Sequence, residues 1–283
     1  MDDMIASMLN ALFGFDTTSL DNLTEGLESY NKTAYDFVNN VHTTAVVPIS
    51  STVIAIILIL ELARNATRIE GDQQMGVKII AGTMFKSALL VIAAQNSMLF
   101  LDAINQIATA VASGIKPAAE ETDGGMPSAA SLPGMPADIA DSVSKASNVD
   151  KAGMMMLLII PFLIALAAKI VIQVMVTLRF AELYLLTAFA SLPIAFIGHQ
   201  DTKSMGVGYL QRYASVALHG ATLMLVARVY AVLLGGDELP SLGSGQSLSS
   251  WIVSNYDRFL LSPVLLMILI MASGRIAKAV VGQ

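Results

Sequence analysis

The sequence predicts an all-α, polytopic transmembrane helical bundle with amphipathic helices at its N-terminus. Two observations carry that prediction. Apolar residues make up 55% of the 283-residue chain and charged residues 13%, about half the charged fraction of an ordinary soluble domain, and mean hydropathy is +0.66. Apolar runs that approach or exceed the roughly 20 residues of a spanning helix recur between polar connectors. A soluble chain of this length can bury a sizeable core without such runs.

The N-terminal segment, 1–43, comes first. Its start, Met1-Asp2-Asp3-Met4, is acidic, whereas a secretory signal opens on a positive region. No cleaved signal is expected, and the first span then acts as the insertion signal. Met4, Ile5, Met8, Leu9, Leu12 and Phe13 fall at helical spacing, and Ala34, Phe37, Val38 and Val41 make a second stripe. Such helices lie at an interface, pack on the bundle or meet a partner on the outer side.

The second region, 44–113, holds two spans. The first is expected at 44–62, with Pro48 in its first turn, where a missing N–H costs little. A connector with Arg64, Arg68, Glu70 and Asp72 follows. The second span is expected at 79–101, its helix continuing through Ile104, Ile107 and Val111.

The third region, 114–152, changes composition. Pro117, Pro127, Pro133 and Pro136 alternate with Gly, Ala and Ser, too little apolar surface to offset the entropy of ordering. It reads as an exposed, partly disordered outer loop with a short helix starting at Pro136.

The C-terminal bundle is 153–283. Residues 153–198 have length for two full spans, or for one span, 154–177, followed by a re-entrant helix pair broken near Pro193. Further spans are expected at 213–234 and 259–274. A Gly/Ser-rich loop, 235–256, separates them, with Trp251 and Tyr256 placed as interfacial anchors. No internal repeat of the transporter kind is visible.

Charge bias sets the orientation. Arg64, Arg68 and Lys78, then Lys203 and Arg212, then Arg275 and Lys278 mark inner segments. The 235–256 loop has no Lys or Arg before the last span, and the first 43 residues have only Lys32. The N-terminus is therefore expected outside, and 153–198 must cross an odd number of times. Five crossings plus a re-entrant element are favoured over six spans.

Charged groups inside apolar segments are the candidate functional residues, since each costs at least about 2.5–3.5 kcal/mol at a span centre. They are Glu61, Lys86, Lys169, Arg179, Glu182 and Arg228. Glu61, Lys169 and Arg179 lie where a side chain can snorkel to an interface; Lys86 and Arg228 lie deeper. Glu182 shares a helix face with Arg179, three residues away, and can pair with it or with Arg228 on a neighbouring helix. Such groups either fix helix packing or face a water-filled path or a subunit contact. Ala214, Ser215, Ala217, Gly220 and Ala221 favour close helix approach.

Other function classes find no support. The net charge of −6 argues against a basic nucleic-acid-binding surface. Without cysteine there is no thiol nucleophile, disulfide or cysteine-held zinc. His42, His199 and His219 have no metal-ligand spacing, and no phosphate loop, HExxH or GxSxG motif is present. No enzyme activity, cofactor or metal is expected. Gly71, Gly76, Gly206 and Gly208 read as turns or helix ends.

The run Arg179-Phe-Ala-Glu182-Leu-Tyr184-Leu-Leu-Thr-Ala-Phe-Ala-Ser-Leu-Pro193-Ile-Ala-Phe resembles the central segment of TrbL-type polytopic subunits of conjugative type IV secretion systems. Gly206 to Gly220 is similar to their next span, and Ser273-Gly274-Arg275-Ile-Ala-Lys278 to their ending. Val46-Val-Pro48-Ile and the span bearing Glu61 also look similar. The resemblance covers 44–112 and 153–283. It implies a homo-oligomeric subunit, a ring of unstated count, in the bacterial cytoplasmic membrane. The implied partners are pilin or a pilus-tip subunit outside, with bitopic scaffold subunits and the secretion ATPase assembly inside. Nucleic acid is implied only as translocated cargo.

Overall fold

The computed structural model describes residues 2–13, 22–66, 73–118, 142–235 and 247–282. Expectations for 14–21, 67–72, 119–141 and 236–246 lie outside the described residues. They include most of the outer loop, the helix expected at Pro136, part of the first connector and most of the Gly/Ser-rich loop.

Helices make up every regular element among the described residues: α1 (Asp2–Phe13), α2 (Leu27–Tyr30), α3 (Lys32–Val41), α4 (Val47–Ala66), α5 (Gln73–Gln95), α6 (Ser97–Ala118), α7 (Asn148–Ala188), α8 (Ser191–Phe196), α9 (Lys203–Gly235), α10 (Leu248–Ser254) and α11 (Tyr256–Val281). A 3-10 turn covers Asn22–Thr24, and a π-turn, His42–Val46, joins α3 to α4.

That π-turn corrects the first span. Pro48 does not open the helix; one helical stretch, Lys32–Asn65, is apolar enough to cross a membrane and runs through it. Pro48 has no N–H to give the carbonyl of Thr44. The turn before it widens, and Val47 N–H donates to the His42 carbonyl. Thr43 and Thr44 hydroxyls donate to the Asn39 and Asn40 carbonyls, which keeps the backbone satisfied where lipid supplies no partner.

Four further stretches have the length and apolarity to span: Gly76–Gln95, Ser97–Ile115, Asn148–Ala188 and Tyr256–Val281. The first two are one run. Only Asn96 separates them, its N–H bonded to the Ile92 carbonyl and its own carbonyl accepting from Leu99 N–H. A helix hairpin needs about 2–5 loop residues, so the chain cannot reverse here. The helix therefore continues past residue 101, as the sequence predicts. The expected 213–234 span lies within α9, which is not among the described stretches with the length and apolarity to span.

Helix α7 is continuous for 41 residues, about 62 Å, and ends at Ala188 rather than 177. The break expected near Pro193 falls at Phe189 and Ala190, which keep their N–H groups bonded to the carbonyls of Leu186 and Thr187. A single short helix, α8, stands where a pair was expected. One crossing, not two, accounts for 153–198.

Two compact units are built from interleaved segments. The first comprises Met1–Thr24, Ala110–Leu178 and His219–Ile276; the second comprises Glu25–Thr109, Arg179–Leu218 and Ala277–Gln283. In the first, α1 buries Ile5, Met8 and Leu9 against Val143, Met154, Leu158, Leu248, Trp251, Ile252 and Phe259, so this stripe packs on the bundle. Trp251 is 1% exposed and meets Phe259 edge-to-face at 5.7 Å. It is a core residue, not the expected interfacial anchor. Lys151, though charged, is buried; its Nζ lies 2.6 Å from Asp2 Oδ1 and donates to the Ser144 carbonyl.

In the second unit α4 and α5 run antiparallel. Asn65 donates to Thr83 at 2.7 Å, while Ile54 and Ala94 share a buried cluster with Ile194 and Ala195 of α8. Asn31 caps α3 by accepting from Ala34 N–H. Of the second N-terminal stripe Val38 is buried, but Phe37 is 68% exposed.

Candidate functional site

Within the second unit a seam of polar groups ties α4 to the turn between α8 and α9. His199 Nδ1 lies 2.9 Å from Glu61 Oε2, and its Nε2 lies 3.1 Å from Asp201 Oδ2. Arg64 Nη1 stands 4.0 Å from the same Asp201 oxygen. Gly198 allows close packing there: a Cβ would strike the Leu90 side chain and crowd the Ala195 carbonyl. Gly206 does likewise for α9. It is buried inside that helix, and a Cβ would collide with the Pro193 carbonyl and with Ile197. Gly206 is a close-packing position rather than a turn.

These contacts bear on the choice between five and six crossings. They hold the end of α4 and the 199–202 turn together, so both lie on one side of the membrane. Two full spans in 153–198 would put them on opposite sides.

Depth follows from the same register. Residues 54 and 65 of α4 face 94 and 83 of α5, which sets Lys86 level with position 62, beside Glu61. Lys86 is therefore about 12 Å along the helix from the Ile54–Ala94 level, toward the end of α4 that carries Glu61 and Arg64. It is exposed. Glu61 does not snorkel alone, being held by His199.

Arg179 differs most from expectation. It is 2% exposed and does not reach an interface. Its Nη2 donates to the Ala217 carbonyl at 3.2 Å, and its Cζ lies 4.9 Å from the centroid of the Phe180 ring. Phe180 stacks on Tyr30 at 3.6 Å. Among the described residues Arg179 Nε and Nη1 have no partner. Nearby, the Tyr184 hydroxyl donates to the Leu27 carbonyl at 2.6 Å, and that of Tyr209 to Leu186.

Glu182 pairs with neither Arg179 nor Arg228. Its carboxylate accepts from Arg212 Nε at 2.9 Å and also from Nη2. Arg212 lies in α9 six residues beyond the Gly206 contact. Lys169 is exposed on α7.

In the first unit α9 and α11 are antiparallel, bonded at His219–Ser273 (3.0 Å) and Tyr230–Ser262 (2.6 Å). Arg228 lies between these bonds, opposite position 264. It is partly exposed, and its Nη1 is buried without a hydrogen-bond partner among the described residues.

All three histidines make contacts to distant parts of the chain, the third being His42 with Ser97 at 2.9 Å. Spacing rules seek clustered ligands and miss isolated histidines that each bond one distant helix. No group of three or more metal-ligating side chains occurs among the described residues. The arrangement locks helices to one another.

The family model described as TrbL/VirB6 plasmid conjugal transfer like protein matches residues 17–191, more than half of the chain. The chain belongs to the TrbL/VirB6 family. It is a multi-pass membrane subunit of the conjugal-transfer, type IV secretion class. The match includes much of the N-terminal segment and the 114–152 loop, which the resemblance read from the sequence left out, and it ends at Ser191. No curated protein and no solved structure matches the chain.

Proposed function

We propose that the chain is an oligomeric channel and assembly subunit of a type IV secretion apparatus in the bacterial cytoplasmic membrane. It helps form the passage for DNA or protein and supports pilus assembly. The observation that carries this reading is the TrbL/VirB6 match over 17–191 in a chain of membrane-length helices. The N-terminus and the 114–152 loop face outside, toward pilin or a pilus-tip subunit. The 63–78 connector, the 199–212 loop and the tail face inside, toward bitopic scaffold subunits and the secretion ATPase assembly. The chain catalyses nothing itself, and nucleic acid meets it only as cargo.

Deleting the gene from a transfer-competent donor should abolish plasmid transfer, and the intact gene should restore it. Cross-linking in membranes should give homo-oligomers. Single cysteines replacing Ser128 or Ser244 should react with an impermeant maleimide on intact cells, and one replacing Ser204 only after the cells are opened. Normal transfer without the gene, or saturable uptake of a small solute by the isolated protein, would overturn the reading.

A further inference from the structure

Arg228 is a cation whose expected counter-ion is engaged elsewhere. Its depth is set by two bonds, Tyr230–Ser262 and His219–Ser273. The apolar stretch of α11 lies between Arg258 and Arg275, so its midpoint is near position 266, which this register sets opposite position 226 of α9. Arg228 is therefore about 3 Å along the helix from the level of the middle of the apolar stretch of α11. A guanidinium does not escape that environment by losing its proton. Glu182, the carboxylate the sequence offered, holds Arg212 instead. No carboxylate among the described residues bridges Arg228, and its buried Nη1 has no acceptor there.

The surroundings say what kind of group completes it. Leu225, Val229 and Leu233 are 49%, 43% and 62% exposed. They follow one another at intervals of four, forming an outward apolar stripe on a helix whose other described positions from 213 onward are buried or half-buried. Arg228 stands at the edge of that stripe. Lipid covers leucine and valine but supplies no acceptor at this depth. An apolar helix carrying one carboxylate at mid-membrane covers the stripe and neutralises the charge together.

We propose that the Leu225–Arg228–Val229–Leu233 face of α9 docks a transmembrane helix of another subunit of the apparatus, through a mid-membrane Asp or Glu that pairs with Arg228. The proposal rests on the reading of this chain as a secretion subunit. Such intramembrane pairs orient partners as well as hold them.

The test uses a donor with the complete apparatus, its chromosomal copy deleted and variants supplied in trans. Arg228→Lys should keep transfer near the wild-type level. Arg228→Leu should lower it roughly tenfold or more, and Arg228→Glu further. Suppressors of Arg228→Glu, selected for transfer or for restored membrane accumulation, should change an Asp or Glu to Lys or Arg in a transmembrane segment of another subunit. Full transfer by Arg228→Leu would overturn the proposal. So would suppressors confined to this chain, at Asp237 or Glu238 for example, which would make the partner its own loop or a second copy. Arg228→Cys reacting with a charged thiol reagent in the assembled apparatus would also overturn it, by revealing a water-filled path. If the donor transfers normally with the gene absent, the secretion reading fails. If the gene is needed and Arg228→Leu is fully active, only this inference fails.

Discussion

The core around Trp251 and the seam around His199 are held by different forces. In the first unit, α1, α10 and the ends of α7 and α11 bury aliphatic and aromatic side chains in one continuous cluster. In the second, α4, α5 and α8 share a small cluster of Ile54, Ala94, Ile194 and Ala195 and add bonds between residues far apart in sequence, Glu61–His199, Asn65–Thr83 and Glu182–Arg212. A cluster of large side chains loses much when one is truncated and tolerates small shifts. A seam of glycines and polar pairs depends on geometry, because each bond needs its partner within about 3 Å.

Trp251→Ala tests the contrast most severely. Removing a buried Trp should cost about 3–5 kcal/mol, read as lower thermal stability in detergent. Cross-linking between cysteines at positions 65 and 83 should stay at the parent rate. Equal loss of both signals would mean that the two units melt as one, and the contrast would disappear.

Gly206→Ala comes next. The new Cβ meets the Pro193 carbonyl, and overpacking of this kind costs about 1–3 kcal/mol. Gly208→Ala is the control, since a Cβ there meets nothing within 4 Å. It should be neutral or stabilise by up to about 1 kcal/mol through helix propensity. Indistinguishable melting of the two variants would refute close packing at Gly206.

His199→Ala removes the ring whose two nitrogens stand 2.9 Å from Glu61 and 3.1 Å from Asp201. Glu61 and His199 side chains are 20% and 14% exposed, so the loss should be about 1–3 kcal/mol. Limited proteolysis should cut faster at the 199–203 turn; an unchanged cutting rate would show that the seam does not hold that turn.

The smallest effect is expected at Glu182 and Arg212, whose side chains are 39% and 38% exposed. A Glu182→Leu, Arg212→Leu double-mutant cycle should give a coupling below about 1 kcal/mol. The corresponding cycle with Arg228 should give none. Measurable coupling between Glu182 and Arg228 would restore the pairing that the sequence suggested.

Part of the seam was legible in the sequence, but not its pairs. Glu61, Arg179 and Glu182 stand out because charge is rare in apolar runs, and each engages in a specific contact. Their partners His199, Ala217 and Arg212 do not stand out. The first is an isolated histidine, the second acts through a backbone carbonyl, and the third sits in a connector where arginine is ordinary. Trp251 was misread for a similar reason. An aromatic beside a polar loop suits an interfacial belt, and only α1 folding over it makes the site a core.

The sequence by itself determined that this chain is helical, spans a membrane several times and carries a few charges that need an explanation. Those properties follow from the transfer of apolar and charged groups between water and lipid, which depends on residue type and run length. The tertiary structure decided that residues 76–115 form one kinked run, that α7 is one continuous helix, that Lys86 lies level with the end of α4, and that Arg228 stands level with the middle of α11. Each depends on the register between two helices. Register is set by close contacts such as Gly198 against Leu90 and His199 against Glu61, between residues that the order of the chain keeps far apart.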